Sequence, residues 1–541
     1  MKTKSFIKKL NILAFCGSLF LIVSCRSEQQ DTITEGTDGI AFNIDVSNFG
    51  ETHTNEQANG RTTSGKGNSV SRQKYTSGPF SIISELSADQ EHMTRSAAIS
   101  PRSFTGSNVK IRIVAYISAT GEYADQLVTT VAGSKQKLFN LSGGRKYTFV
   151  TYSFNNAIDP PQAPVTNLNQ AKLNITNLDG KEAGTDILYA INPDVMLSGG
   201  NTTINVNLRH IFSRISISVN DSNTAGTPGQ PGYTEGSYTL DNNTTGFTGT
   251  ILNNNTSFSL NLKDAIISDG NSQTLSISGI NTTAQNLIIN TGGEANYKSK
   301  LIIPPGAIVI GNDSNSSPVS IVIDGPDNNG LQPGKSYVLK LKFNSDRYVD
   351  ENGTTQSKNN ARYAVIRGYQ WDRFNLGSSV NNPALSDPDM PSAEIHGAKY
   401  TYGAYTGQTG SYLSQYDDQN GGTVSNWAAS GYHWNSQDPC EPGYRIPTKD
   451  EYDKLIGATN NTTVGNYNSY SYGRKLKSRR SEVQLVFPAA GFRSTGTYPG
   501  IITERGQRAR YWNTSTLFDD TTASTSPHTS IGAAIRCIRK N

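Results

Sequence analysis

Residues 143–155 read Gly-Gly-Arg-Lys-Tyr-Thr-Phe-Val-Thr-Tyr-Ser-Phe-Asn, the pattern of a tight turn followed by a buried β-strand. The glycine pair favours the turn, and the run of aromatic and β-branched residues favours the strand. Runs in which apolar residues alternate with polar or small ones recur along the chain. They lie at 40–46, 109–115, 204–208, 211–219, 258–262, 275–277, 301–303, 321–323 and 334–343. The sequence therefore predicts a mainly β protein.

The composition is typical of β-rich extracellular proteins with many turns. Charged residues make up 17% of the chain, below the roughly 25% of ordinary soluble domains. The net charge of +4 comes from the first 24 residues, which hold four of the 48 basic residues and leave 44 against 44 acidic ones. No basic run interleaved with aromatic residues is present, so the sequence does not indicate a nucleic-acid partner.

The N-terminus has the pattern of an export signal. Lysines at 2, 4, 8 and 9 precede an apolar run at 10–23, and Ile22-Val23-Ser24-Cys25 follows the pattern of a bacterial lipobox. A helix of this length spans roughly 21 Å, less than a bilayer core of about 30 Å. We predict that residues 1–24 are a cleaved signal peptide and that acylated Cys25 anchors the chain in a lipid membrane. The alternative is an ordinary secretory signal with a chance cysteine.

The remaining chain divides into blocks by pattern. Residues 47–107 show little periodicity and contain Arg61, Arg95 and Arg102, and such a long stretch suggests a functional or processed segment. The predicted divisions are a tether with first strand and processed segment at 25–107, β domains at 108–222 and 234–345, polar linkers at 223–233 and 344–361, and a third domain at 362–541.

The third domain holds all four tryptophans and one predicted helix. Thr448-Lys-Asp-Glu451 matches a capping box, and Tyr452, Leu455 and Ile456 would form the buried face of the helix.

Two cysteines remain after export. Cys16 leaves with the signal peptide and Cys25 carries lipid, so Cys440 and Cys537 form the remaining pair. In an oxidising compartment this pair is most simply a disulfide. A redox or copper-binding dithiol is the alternative, but neither a third sulfur nor a nearby histidine accompanies the pair.

The residues up to about 345 resemble the fimbrillin family, the lipoprotein pilin precursors of type V pili. The features that support this are the lipobox, the strand at 40–46, and the segments at 138–155, 205–217 and 333–341, in this order. The last domain is similar to the major paralogous domain, a small C-type-lectin-like module. Its marks are Asp438-Pro-Cys-Glu-Pro-Gly-Tyr-Arg-Ile-Pro-Thr448, Phe487-Pro-Ala-Ala-Gly-Phe492, Tyr511-Trp-Asn-Thr-Ser515 and Ile535-Arg-Cys537.

The resemblance implies two tandem pilin-type β-sandwich domains followed by a C-terminal α+β lectin-like domain. It also implies an outer-membrane lipoprotein precursor at the cell surface, whose mature form joins other pilin subunits in a fimbrium by donor-strand exchange. An arginine-specific protease would remove the first strand. We predict that the protease cuts after Arg95, and Arg61 and Arg102 are the other candidate cleavage sites.

One departure from a stalk pilin predicts a terminal position in the polymer. The donor strand should follow soon after the strand at 337–343, but a domain of nearly 180 residues stands there instead. We therefore expect a pilus tip or minor pilin that presents an adhesive C-terminal domain. The alternatives are an uncleaved pilus anchor and a stand-alone surface lipoprotein.

Trp427, Tyr432 and Trp434 lie in a Gly/Ser-rich loop and are candidates for stacking on a glycan, although such tryptophans are more often core residues. The ligand could equally be a host or microbial surface. The segments Glu441-Pro-Gly and Trp512-Asn-Thr each lack a residue that calcium-dependent lectins use as a ligand.

The sequence indicates neither a cofactor nor a catalytic site. The six histidines are scattered without metal-ligand spacing, and the motifs of serine nucleophiles, phosphate loops and dinucleotide sites are missing. We expect no metal and no enzymatic activity. An enzyme that uses reactive Cys440 and Cys537 thiols is the alternative.

Overall fold

The computed structural model is mainly β, as the sequence predicts. It describes residues 40–47, 49, 69–89, 108–131, 141–181, 185–197, 201–221, 237–241, 246–291, 297–326, 329–380, 386–421, 424–434, 437–494, 499–519, 522–523 and 531–540. The predicted signal peptide, Cys25, Arg61, Arg95 and Arg102 lie outside the described residues, as does the predicted linker at 223–233.

The strands of the first half are β1 (Ile40–Val46), β2 (Val70–Ser77), β3 (Phe80–Ala88), β4 (Lys110–Ile117), β5 (Tyr123–Thr130), β6 (Lys146–Ser153), β7 (Lys172–Ile175), β8 (Leu188–Met196), β9 (Thr202–His210) and β10 (Ser213–Val219). Those that follow are β11 (Phe247–Asn261), β12 (Ile267–Ile280), β13 (Gln285–Ile289), β14 (Ser299–Ile303), β15 (Val309–Ile310), β16 (Asp313–Ser314), β17 (Val319–Ile323) and β18 (Ser336–Asn344).

The C-terminal part contains β19 (Arg347–Val349), β20 (Tyr363–Ile366), β21 (Tyr369–Asp372), β22 (Lys399–Tyr400), β23 (Tyr412–Leu413), β24 (Tyr444–Arg445), β25 (Thr459–Val464), β26 (Gly473–Ser478), β27 (Gln484–Pro488), β28 (Phe492–Arg493), β29 (Ile502–Thr503), β30 (Arg510–Trp512), β31 (Leu517–Asp519), β32 (Thr522–Ala523) and β33 (Ile538–Arg539). Its helices are α1 (Gln415–Asn420) and α2 (Lys449–Ala458).

The first sheet has the strand order β1-β9-β8-β6-β4-β5. Strand β1 lies at its edge and runs parallel to β9, with Ile40 opposite Thr202 and Val46 opposite Leu208. Phe42 is fully buried and contacts Phe149 edge to face, with ring centroids 5.5 Å apart. The alternation read at 40–46 thus places one face of β1 in the core of this sheet.

The second sheet corrects our expectation of little regular structure at 47–107. Its order is β13-β10-β18-β3-β2, and the hairpin of β2 and β3 lies inside that stretch. Strand β3 pairs with β18 over eight residues, from Ser81 opposite Asn344 to Ala88 opposite Tyr337. The pattern was hidden because the small polar Ser84 fills a buried position between Ile82 and Leu86.

The first sheet packs against β7 and the outer end of β11 to form the first sandwich, and the second sheet packs against a third sheet of order β12-β11-β14-β17 to form the second sandwich. Because β11 contributes to both sandwiches, the domain boundary predicted at residue 222 is wrong. Strand β10 pairs in parallel with β18 in the second sheet, whereas the predicted boundary assigns it to the first domain. The long hairpin β11–β12 pairs with β14 near its base and with β7 farther out, where Phe258 lies opposite Ile175. Residues of β11 therefore complete the core of the first sandwich.

Residues 344–361 are not a linker, which corrects another prediction. Strand β19 starts at Arg347, directly after β18 ends, and opens a sheet of order β19-β20-β21-β33-β24. One continuous apolar cluster runs from the second sandwich into the C-terminal domain and includes both Phe343 and Trp371. The two units are therefore packed against each other rather than tethered by a flexible segment.

Asp346 ties this junction together. Its Oδ2 accepts hydrogen bonds from Tyr238 Oη (2.6 Å) and from Ser478 Oγ (2.5 Å), and its Oδ1 accepts one from the amide of Arg367 (2.9 Å). The guanidinium of Arg480 lies 4.0 Å from the ring centroid of Tyr238. Burial raises the pKa of the Asp346 carboxyl above its ordinary value, although these hydrogen bonds oppose the shift.

The predicted helix is present as α2. The Thr448 side chain accepts a hydrogen bond from the Glu451 amide, and the Glu451 carboxylate accepts one from the Thr448 amide. Tyr452 and Leu455 are buried, and Ile456 packs against the core partly exposed. This prediction is confirmed because a capping box is a local signal.

Candidate functional site

Two of the three aromatic residues proposed as a glycan platform are buried. Trp427 and Trp434 are 5% and 4% exposed, so neither indole offers a face to a ligand, and that part of the hypothesis is wrong. Trp434 contacts Tyr402 and Trp512 edge to face, with centroids 4.7 and 5.1 Å apart. Trp427 packs so closely against Gly532 that a Cβ there would lie 2.0 Å from the indole.

Tyr432 remains a surface residue and has an aromatic neighbour that the sequence did not single out. Tyr432 and Tyr405 are 48% and 41% exposed, and their ring centroids are 6.2 Å apart. Gly403 brings their two loops together, because it has a φ of +76° and its Cβ would lie 1.9 Å from the carbonyl oxygen of Tyr432. The loops thus hold two tyrosine rings at one place on the surface.

A buried ionic cluster surrounds Asp418 in the C-terminal domain. The Asp418 carboxylate is fully buried and pairs with Lys399 Nζ (3.1 Å), Arg493 Nε (2.8 Å) and Arg505 Nη2 (2.5 Å). Burial alone would raise the pKa of Asp418, but the three cations hold it below its ordinary value. Burial lowers the pKa of Lys399, which Asp418 partly offsets.

His396 lies beside this cluster and stays neutral. Burial, followed by the charge of Lys399, lowers its pKa to about 3. Its Nε2 is 3.0 Å from the carbonyl oxygen of Tyr470, and since a carbonyl accepts, Nε2 carries the proton. Arg505 contacts the same tyrosine, because its guanidinium lies 5.6 Å from the ring centroid and its Nη1 donates to Tyr470 Oη (3.3 Å). Sequence reasoning missed this group because its members come from distant segments.

A disulfide joins Cys440 to Cys537, with their Cα atoms 6.0 Å apart. It links the residue directly before β33 to the segment before β24, and Cys537 is buried in an apolar cluster with Tyr363 and Tyr444. The pair therefore has a structural position in the C-terminal domain.

We expect Cys440→Ser to destabilise the C-terminal domain by about 2–5 kcal/mol, because the bond closes a loop of 97 residues. Hydrogen exchange should speed up in β20, β21 and β24 and stay unchanged in β4 and β6 of the first sheet. Both thiols of the unchanged protein should resist alkylation until reductant is added. Alkylation without reductant would contradict the structural role and favour the reactive-thiol alternative.

Within the described residues, no group of three or more His, Cys, Asp or Glu side chains could hold a metal ion. In the same part of the chain, no helix is long and apolar enough to cross a membrane.

No protein-family model and no curated protein matches the chain. Similar solved structures include a proposed cell adhesion protein from Bacteroides ovatus, at 10% identity and a TM-score of 0.30, covering 59% of this chain and 95% of that one. A proposed polysaccharide-binding protein from Bacteroides thetaiotaomicron has 14% identity and a TM-score of 0.28, covering 50% and 91%. The fimbrial anchor protein Mfa2 from Porphyromonas gingivalis has 15% identity and a TM-score of 0.23, covering 38% and 73%. At such low scores these likenesses carry no argument about this chain.

Proposed function

We propose that this chain is a cell-surface fimbrial subunit that assembles by exchange of its first strand and binds through its C-terminal domain without catalytic turnover. The observation that carries the proposal is the position of β1. It is an edge strand, it fills a place beside β9 over seven residue pairs, and it precedes every other described element. A single cut in the chain after β1 would leave it held by non-covalent contacts alone.

Loss of β1 would create an acceptor groove. The backbone of β9 would expose its unpaired N–H and C=O groups, which provide a template for another extended segment. The core would also lose Ile40 and Phe42, so the incoming strand would need apolar residues at alternate positions. These requirements match the donor-strand partner that the family resemblance implies.

The three candidate arginines are not equivalent in this topology. Arg61 lies between β1 and β2 in the sequence, whereas Arg95 and Arg102 lie between β3 and β4. A cut after Arg61 would separate β1 alone. A cut after Arg95, the site that the sequence favours, would also separate the β2–β3 hairpin from the rest of the chain. The buried Phe80 and Ile82 of this hairpin belong to the core of the second sandwich. We therefore propose Arg61 as the site of processing.

The path of the chain after β18 supports a tip or minor-subunit position. The residues that follow fold at once into β19 and the C-terminal domain, and the junction around Asp346 holds that domain against the second sandwich. The last strand described, β33, lies between β21 and β24 inside a sheet. None of these segments is a free extended strand that could be donated to a neighbour.

The experiment is N-terminal sequencing and intact mass of the mature protein from cell-surface material. We expect a start at Thr62, directly after Arg61. The Arg61→Ala variant should then keep β1, while the matched Arg95→Ala variant should be processed normally. A start at acylated Cys25 in the unchanged protein would contradict the proposal and favour an uncleaved anchor or a stand-alone lipoprotein.

A further inference from the structure

We infer that residues 465–472, which we call the tyrosine loop, form a binding surface for neutral glycans. The loop reads Gly-Asn-Tyr-Asn-Ser-Tyr-Ser-Tyr and joins β25 to β26. The inference rests on the adhesive part of the proposed function and specifies its ligand. It assigns the binding to residues other than the tyrosine pair at 405 and 432, and it does not depend on strand exchange.

The serines of the tyrosine loop are used to fold it. Ser469 Oγ donates to the carbonyl oxygen of Asn466 (2.7 Å), and Ser471 Oγ accepts from the Asn466 amide (3.1 Å). The two hydroxyls are also 2.7 Å from each other. Gly465, at a φ of +74°, makes this turn sterically feasible, because a Cβ there would lie 1.7 Å from the Ser471 carbonyl oxygen. The loop therefore has a defined shape before any ligand arrives.

The rest of the domain supports the tyrosine loop from behind. The Asn468 amide donates to the carbonyl oxygen of Gly506 (2.8 Å). The Tyr470 carbonyl accepts from His396, and its ring lies against the guanidinium of Arg505, which Asp418 holds in turn. Such a preorganised loop loses little conformational entropy on binding.

The side chains left facing solvent are asparagines and tyrosines. Tyr467 and Tyr470 are 61% and 40% exposed, and Asn466 and Asn468 are also exposed. Tyrosine offers a large rigid ring with a hydroxyl at its tip, and an asparagine amide offers both a donor and an acceptor. Together with serine and glycine, these residue types dominate recognition loops that bind through stacking and adaptable hydrogen bonds.

The absence of charge in the loop sequence selects the class of ligand. The tyrosine loop has no Asp, Glu, Lys, Arg or long aliphatic residue, and the neighbouring Arg505 is paired with Asp418, so the loop itself offers no charge to an acidic sugar. A neutral sugar presents hydroxyl groups and a face of C–H bonds. Amides can pair with the hydroxyls and the tyrosine rings can cover the C–H face.

The test uses the full chain on immobilised neutral glycans (mannan, dextran, arabinogalactan and chitohexaose), with hyaluronan and heparin as acidic counterparts. We expect retention on at least one neutral glycan. The double variant Tyr467→Ala/Tyr470→Ala should weaken it at least tenfold. Tyr470→Phe, which keeps the ring, should retain most of the binding.

Two variants serve as matched controls. Tyr416→Ala removes a tyrosine of α1 that is 76% exposed and outside the tyrosine loop, and Tyr405→Ala/Tyr432→Ala removes the other tyrosine pair. Neither should weaken binding. Binding lost only in the Tyr405/Tyr432 variant would overturn the inference while leaving an adhesive function intact. Retention only on acidic glycans, or on none, would also overturn it, and N-terminal processing would remain as the separate test of assembly.

Discussion

Asp418→Asn should destabilise the C-terminal domain by about 3–5 kcal/mol, because it leaves three cations around a buried site without their carboxylate. Urea unfolding monitored by the fluorescence of the buried tryptophans should show a lower midpoint for the variant than for the unchanged protein. Asp417→Asn is the matched control, since it changes an exposed first-turn residue of the same helix that accepts from Ser414 Oγ, and it should cost no more than about 1 kcal/mol.

The pH dependence provides a second readout for Asp418. Its pKa is lowered in the folded protein, so its stabilising contribution is present above the ordinary pKa of aspartate and is lost as the pH falls through the folded value. The Asp418→Asn variant should lose this acid-side decline. If Asp418→Asn were as stable as the unchanged protein at neutral pH, the ion pairs around Asp418 would not stabilise the domain.

Asp346→Ala should destabilise the junction between the second sandwich and the C-terminal domain by about 2–4 kcal/mol. The substitution leaves Tyr238 and Ser478, both buried, and the Arg367 amide without their acceptor. We expect the two units to unfold in one calorimetric transition in the unchanged protein, because they share an apolar cluster. The variant should split that transition into two.

The contribution of Asp346 to stability depends on pH in the opposite direction to that of Asp418. Its pKa is raised on folding, so its contribution to stability is fully present below the ordinary pKa of aspartate and is lost as the pH rises through the folded value. Asp346→Asn keeps an acceptor oxygen without the charge, and it should be milder than Asp346→Ala and lack this pH dependence. Equal stability losses in both variants would contradict the hydrogen-bonding role.

The sequence predicted the local elements well and the partners of those elements poorly. The runs at 40–46 and 147–155 form β1 and β6, and the capping box begins α2 at Lys449. Strand β3 was missed because serine takes one of its buried positions. The prediction that Trp427 and Trp434 bind a glycan is wrong because the composition of a loop does not show which of its side chains face the core.

The Asp418 cluster could not be predicted because its members lie far apart in sequence. Lys399, Asp418, Arg493 and Arg505 come from segments that the fold brings together. The tyrosine loop differs from this cluster, because all of its residues are adjacent in the sequence and its composition can be read there directly. Only the structure distinguishes the serines that fold the loop from the asparagines and tyrosines that face solvent.

The positions of the strands and of the capped helix follow from short stretches of sequence, because periodicity, turn residues and caps act over a few neighbouring residues. The pairing of β10 with β18, the place of β3 between β18 and β2, and the contribution of β11 to the first sandwich are visible in the fold alone. Strand pairing and register are selected by burial of the whole apolar face. That choice compares distant segments, and no short stretch of sequence contains it.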